Sequence, residues 1–450
     1  MVTFYIKKIK FRVTFLCIIM FFSACKKSEE RPMTEKEIAL EWANMTLFIT
    51  RYTPSNSPTF ASRAFGYVGL TMYESIVPGF GQYNSLSGQL SGFDSIPQID
   101  IEKEYHWPLS LNAGQSEILK NIYVQTSEEN IQKIDSLEKV VYDQYKNQID
   151  PETRQRSVAY GKAVAQSIFE WSKNDGGHRG YLANFDKTLV HPDRPGAWKP
   201  PLFAQSFSHH PLHPHWGKNR TFAVSNKMVE DPTIIPYDTT VGSPYYKQFE
   251  AVYLKDLQLT KKEKEAAIWW GDDPDVSFTP PGHSYYFAVL AVEGHNSTMI
   301  ESAKVFAQMG MAVADAFINC WKWKYQFFTE RPNTFIPKYI DEEWESFWPD
   351  PPFPSFPSGH AIQAAAAATV LESNFGPKFT FTDRAHEGRE RDELKDTDFV
   401  SRTFDTFWDA ALETADSRFY GGIHTKQDND VGLEKGVVIA KNITALEWKK

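Results

Sequence analysis

The sequence predicts a mainly α protein, a large helical bundle. Helix-start signals followed by apolar residues at helical spacing recur along the chain, and no block alternates apolar and polar residues as a half-buried strand would. Of its 450 residues 42% are apolar and 15% aromatic, enough for one sizeable core. Thr34 and Glu37 form a capping box, with Met33 and Ile38 as a hydrophobic staple, and open a helix to about Thr50. Thr126 with Glu129 opens another, in which Ile131, Ile134, Leu137, Val141 and Tyr145 repeat at helical spacing. A third runs from Pro151 to about Lys173 and stops at Gly176-Gly177. From there to about Phe249 the chain is rich in proline and aromatics without a clean period, which reads as long packed loops over a cleft. Thr260 with Glu263 starts a helix that ends at Gly271, and a long helical stretch covers about Ser297 to Glu330, ended by Pro332. Ser358 opens an alanine-rich helix. Another spans about Val400 to Arg418, with Phe404, Phe407, Trp408, Ala411 and Leu412 inward, and stops at Gly421-Gly422. The last follows Gln427 and carries Val431, Val437, Val438, Ile439 and Leu446.

The first residues have a different composition. Lys7, Lys8, Lys10 and Arg12 precede an apolar run from Val13 to Phe22, then Ser23-Ala24-Cys25. The run is too short to span a bilayer comfortably. It reads instead as a secretory signal over residues 1–24, and the cysteine behind the small residues resembles a bacterial lipobox. The expectation is a lipoprotein of the periplasm or outer membrane, lipidated on Cys25, with a linker over 25–33 and one helical domain over 34–450. Losing residues 1–24 removes four basic and no acidic side chains, so the net charge moves from −9 to −13, which argues against nucleic acid as a partner. Cys320 is left unpaired, so neither a disulfide framework nor a cysteine metal site is expected.

Three short segments carry the chemistry. Pro354 to Val370 read PSFPSGHAIQAAAAATV, placing Ser358, Gly359 and His360 at a helix N-terminus, where unpaired N–H groups and the helix dipole favour an anion. The same residues would also suit a plain capped helix. In CWKWKYQFFTERPN, Lys324 and Arg331 lie seven residues apart, nearly two turns, so on a continuous helix both leave one face, which Trp321 shares. In SRFYGGIHTKQD, Arg418 is a last-turn cation, and His424 follows a Gly-Gly break that could aim its imidazole.

Together the three parts, Lys324 with Arg331-Pro332, Pro357-Ser358-Gly359-His360, and Ser417-Arg418 with His424 and Asp428, resemble the signature shared by the vanadium-dependent haloperoxidases and the type 2 phosphatidic acid phosphatases. SPTFASRAFGYVGLTMYES, PGAWKPP, TPPGHSYYF and EGHNSTMIESAKVFAQMGMAVADAF extend the likeness to the bacterial haloperoxidases over most of the chain. The resemblance implies a vanadate cofactor cradled by Lys324, Arg331, Ser358, the Gly359 amide and Arg418. It implies that His424 is the vanadium ligand, that Asp428 orients it, and that His360 manages protons while peroxide oxidises halide to hypohalous acid. Vanadium serves there as a Lewis acid. In the phosphatases the counterpart of His424 attacks phosphorus and that of His360 protonates the leaving oxygen, so a soluble acid phosphatase acting through a phosphohistidine is the alternative. Trp321 and Phe353 stand where haloperoxidases place halide-pocket aromatics. Bromide-adapted algal enzymes have histidine in place of Phe353, and iodide or bromide is the expected halide. Implied partners are hydrogen peroxide, halide and a small-molecule acceptor.

Two further clusters are weaker. Ser208-His209-His210-Pro211-Leu212-His213-Pro214-His215 is broken by prolines and offers no helical i, i+4 metal face. Asp272-Asp273-Pro274-Asp275 lacks the glycine and glutamate spacing of a calcium loop and reads as a solvated turn.

Overall fold

Helix boundaries in this chain are written mostly by single hydroxyl or carboxylate side chains. The structure, a computed structural model, describes residues 31–200, 210–274 and 276–450. The leader, Cys25, Ser208, His209 and Asp275 lie outside the described residues. Thr34 caps α1 (Glu35–Tyr52) with the expected reciprocal box to Glu37. Ser57, followed by a proline in the first turn, opens α2 (Pro58–Glu74), and α3 (Trp107–Ile122) also carries proline in its first turn. The cap of α4 (Glu128–Tyr145) is Ser127. Thr126 is buried and spends its hydroxyl on Thr53 and Asn130, so it is unavailable as the cap the sequence pattern suggested. Asp150 caps α5 (Pro151–Ser172).

The segment expected to be loops is irregular, but its described residues include 3₁₀ turns at Gly180–Ala183 and Trp216–Lys218 and one α-helical turn, α6 (Val224–Lys227), and it closes on α7 (Pro244–Asp256), begun by Ser243 and Pro244. Then come α8 (Lys261–Trp269), with a capping box from Thr260, α9 (Thr279–Gly294) and α10 (Met299–Phe327). Pro332 does not end α10. Phe328 does, in the left-handed region at φ 51°, and Pro332 opens the short α11 (Pro332–Tyr339). Arg331 therefore sits at the cap of α11, and its shared face with Lys324 on one continuous helix is corrected. Ser358 caps α12 (Gly359–Phe375) as expected.

β1 (Phe381–Asp383) and β2 (Arg402–Phe404) pair antiparallel, Phe381 opposite Phe404. This pairing delays α13 (Phe407–Tyr420), which starts at Thr406, so Phe404 faces inward from a strand; Leu412 is 48% exposed rather than buried. Thr425 caps α14 (Lys426–Thr444) in a box with Asp428.

α10 is buried along nearly its whole length and packs most extensively against α2, while α12 packs against α14. Glycines permit both approaches. A Cβ on Gly310 would lie 2.2 Å from the Phe65 carbonyl oxygen, and one on Gly436 would lie 2.2 Å from that of Ile362. Residues 33–450 share one compact unit, and no described helix is long and apolar enough to cross a membrane. The end of α10, the start of α12 and the α13–α14 turn meet at one place.

Candidate active site

α10 delivers Lys324 fully buried, its Nζ donating to the carbonyls of Pro354 at 2.9 Å, Ser355 at 2.7 Å and Pro357 at 2.6 Å. Burial pulls its pKa down to about 7. The three carbonyl acceptors match the three N–H donors of the ammonium form, which works against that shift. Arg331 is equally buried; Nε and Nη2 donate to the Phe353 carbonyl at 3.1 Å each, and Nη1 donates to that of Ile423 at 2.7 Å. Arg418, from the last turn of α13, donates from Nη2 to the Ala267 carbonyl and from Nε to the Ser417 hydroxyl. Burial lowers the pKa of both arginines, that of Arg418 to about 10. None of the three cations forms an ion pair with a described carboxylate. Asp350 and Asp428 offset Arg331, and Asp272 and Asp273 offset Arg418, only through space, so part of the desolvation cost of these charges remains for an anionic ligand to return.

His424 is 2% exposed. Its Nδ1 lies 3.0 Å from Asp428 Oδ2, which also accepts from the Ser355 hydroxyl at 2.7 Å and the Thr425 amide at 3.0 Å. A carboxylate at Nδ1 fixes the proton there and leaves Nε2 with its lone pair. Burial first, against the pull of Asp428, lowers the His424 pKa to about 3, so the ring is neutral at ordinary pH. His360 is half-buried, and burial with the nearby Arg418 charge holds its pKa well below the usual range. Its Nε2 has no partner. Ser358 spends its hydroxyl as the α12 cap on the Ala361 amide and donates its own amide to the Asp428 carbonyl at 2.9 Å. A Cβ on Gly359 would meet only Trp321 at 3.7 Å and Cys320 at 4.0 Å, ordinary contacts.

A cavity of about 450 Å³ opens over this cluster. Gly359, His360, Arg418 and His424 line it together with Trp321 and Phe353, whose rings are 5.0 Å apart. Lys324, Arg331, Ser358 and Asp428 stand behind that wall. Phe353 bridges the two layers: its ring is 5.1 Å from Lys324 Nζ and 5.4 Å from the Arg331 guanidinium.

Sequence reasoning missed Ser355, which had no motif to mark it, and misread Asp272. Far from lying in a solvated turn, Asp272 is 1% exposed, adopts φ 50°, lines the cavity and accepts from two histidines. His283 lies between Asp272 at 2.8 Å and Asp383 at 2.8 Å, and His386 Nε2 is 2.9 Å from the other Asp272 oxygen. Trp269 Nε1 adds a 2.6 Å bond to Asp383. The two carboxylates raise the His283 pKa to about 10 despite burial. The ligand atoms of Asp272, His283 and His386 lie within 4.8 Å of one another, as a metal site would require. However, His386 Nδ1 faces the donating Arg389 guanidinium at 3.3 Å, so Nε2 carries the ring proton toward Asp272. The cluster is a buried ion network. Of the histidine-proline run, His213 is buried against Thr59 and the Gly180 carbonyl, while His215 is exposed beside Asp186; they serve as separate structural contacts.

Residues 304–448 match a family model described as the VCPO second helical-bundle domain. Among solved structures, the chain is similar to a bacterial vanadium-dependent iodoperoxidase at 29% identity and a TM-score of 0.77, covering 92% of this chain and 97% of that one. It shares the fold of bacterial vanadium-dependent chloroperoxidases solved in apo form (17% identity, TM-score 0.66, 87% and 93% covered) and holo form (16%, 0.63, 91% and 92%). No curated protein matches the chain.

Proposed function

The chain belongs to the vanadium-dependent haloperoxidase family, an enzyme family of peroxidases, and on that premise we propose that it binds vanadate and uses hydrogen peroxide to oxidise iodide or bromide to the hypohalous acid. The observation that carries this reading is His424, neutral and tautomerically fixed by Asp428, in a cavity wall that it shares with Arg418 and that the buried Lys324 and Arg331 stand behind. A tetrahedral oxyanion fits that donor set: it would offer acceptors to Arg418 and the Gly359 amide, charge to Lys324 and Arg331, and a vacant position to His424 Nε2. It would also give the orphaned Nε2 of His360 a partner. Vanadate, when bound, supplies a Lewis acid that activates peroxide toward halide.

The chain's own residues supply the rest. Asp428 and Ser355 hold His424 in one orientation, and the guanidinium groups neutralise negative charge on the bound anion. His360, kept neutral by burial and by Arg418, lines the cavity and would take a proton from peroxide and return it to a departing oxygen. Trp321 and Phe353 give the halide a polarisable, dehydrated wall beside Lys324.

The test is one assay series on protein purified without phosphate: peroxide-dependent oxidation of iodide, bromide and chloride with and without orthovanadate, beside hydrolysis of a phosphate monoester. Halide oxidation that requires vanadate is expected. Ester hydrolysis inhibited by vanadate, without halide oxidation, would transfer the same residues to phosphoryl transfer through His424. The leader supports a lipid-anchored protein of the periplasm or outer membrane; incorporation of a labelled fatty acid, lost in Cys25→Ser, tests that part of the reading.

A further inference from the structure

Resting on the haloperoxidase reading, we propose that the C-terminal end of α8, residues 267–272, positions Arg418 and His360 on the cavity wall, and that Asp272, gripped by His283 and His386, is the positioning residue that holds this end in place. None of these α8 residues belongs to the three-part signature.

The contacts with the site are made by backbone. A helix leaves its last carbonyls without intrahelical partners, and the negative end of its dipole favours cationic donors there. α8 ends at Trp269, with Trp270 as its cap. The Ala267 carbonyl accepts from Arg418 Nη2, while Arg418 Nε donates to the Ser417 hydroxyl, so the guanidinium plane is fixed at two nitrogens. His360 donates to the Trp270 carbonyl. Since Nε2 of that ring has no partner, the bond runs through Nδ1; a carbonyl only accepts, so Nδ1 carries the proton and Nε2 the lone pair. The end of α8 thus sets the plane of one cation and the tautomer of the histidine that would handle protons.

Those carbonyls are immobilised from outside the site. Asp272 lies just past the cap at φ 50°, a left-handed conformation that a non-glycine residue keeps where its surroundings impose it. Its two oxygens are taken separately, Oδ2 by His283 Nδ1 at 2.8 Å and Oδ1 by His386 Nε2 at 2.9 Å. Trp269 Nε1 donates to Asp383 at 2.6 Å, Trp270 Nε1 donates to Glu413 on α13 at 3.1 Å, and the Trp270 ring stacks on His283 with centroids 4.6 Å apart. Glu413 is itself paired with Arg402 of β2. Helix α9, the β1–β2 hairpin and α13 therefore converge on the residues that carry the two carbonyls. A buried ion network adds little net stability over apolar packing, but it specifies one geometry, which two acceptors aimed at an active site require.

Two measurements on the full-length protein without vanadate test this. Asp272→Ala frees the end of α8, whereas Asp272→Asn keeps the shape and one acceptor and carries the test if the alanine variant does not fold. In ¹⁵N spectra of histidine-labelled protein, with His360 assigned by its loss in His360→Asn, the wild type should show Nδ1 protonated and Nε2 unprotonated. Both variants should move toward a mixture of tautomers, the alanine further than the asparagine. In calorimetric titration with sulfate, removing a negative charge near Arg418 would by charge alone tighten binding, whereas loss of position weakens it. A loss of about tenfold is expected in Asp272→Ala and a smaller one in Asp272→Asn, with no loss beyond that of Arg418→Ala when the substitutions are combined. A His360 tautomer unchanged in both variants, or sulfate affinity unchanged or raised, would overturn the proposal. Failure of the vanadate-loaded wild type to oxidise iodide would instead overturn the haloperoxidase reading, and the two vanadate-free measurements would still decide whether the end of α8 positions these side chains.

Discussion

Among single residues, His424 and Arg331 are expected to fail differently when truncated. His424→Ala removes the one ring nitrogen that the Asp428 contact leaves unprotonated, and should abolish vanadate binding and halide oxidation together. Arg331→Ala leaves that nitrogen in place and removes one of three cations, so oxyanion affinity should fall by about ten- to a hundredfold, the range for a hydrogen bond to a charged group. Equilibrium titration with vanadate separates the two, and an unimpaired His424→Ala protein would sink the site assignment. Lys324 gives a pH signature. Burial lowers its pKa toward about 7, and anion binding requires the charged form. Affinity for sulfate, whose own charge does not change, should therefore weaken as pH rises above about 7, and Lys324→Met should flatten the profile in calorimetric titrations. At this scale the sequence was informative, because the three-part resemblance singles out Lys324, Ser358, Arg418, His424 and Asp428, and all but Lys324 also stand near a cap or a Gly-Gly break. Ser355 and Asp272 were not legible. Ser355 matters only through Asp428, seventy-three residues away, and an aspartate beside a proline looks like solvated turn until its partners are known.

Among elements, the α12–α14 contact decides whether the N-terminal end of α12, the proposed anion site, stands against the His424 turn. Gly436→Ala would place a methyl group 2.2 Å from the Ile362 carbonyl, and the two helices must separate to admit it. A stability loss of about 1–3 kcal/mol is expected in urea unfolding, together with weaker vanadate binding, since His360 and His424 ride on the two sides of that contact. Unchanged affinity would show that the turn is held independently of the packing. Capping chemistry made α1, α8, α12 and α5 readable because a cap is local in sequence. Helices begun by an apolar or tertiary cue, such as α9 behind Phe278, had no such mark. The end of α10 was misplaced because Phe328 takes a left-handed conformation that no local signal demands, and this moves Arg331 off the helix.

For the whole molecule, the Asp272–His283–Asp383–His386 network ties the loop after α8, helix α9 and the β1 hairpin together behind the cavity. His283 has a raised pKa, so its contribution is fully present below the unfolded value near 6.5 and is lost as pH rises through about 10. His283→Gln should cost about 3–5 kcal/mol near pH 6.5, the usual effect of breaking a buried ion pair, and should flatten the decline in stability between pH 7 and 10. Urea unfolding at several pH values would show both effects; a variant as stable as wild type would mean the network contributes nothing net.

The sequence by itself determined that the chain is a helical bundle and which residues begin most of its helices, since caps and periodicity are local properties, while the histidines, cations and carboxylate of the proposed site came from the resemblance of three short segments to a family signature. Only the tertiary structure decided that Lys324 and Arg331 stand behind the cavity wall while Arg418, His360 and His424 face it. It also decided that Asp272 is a buried hub shared by two histidines. These properties depend on burial and on partners tens to hundreds of residues away, and desolvation, which sets the cost of a charge or an orphaned acceptor, exists only once the chain has packed.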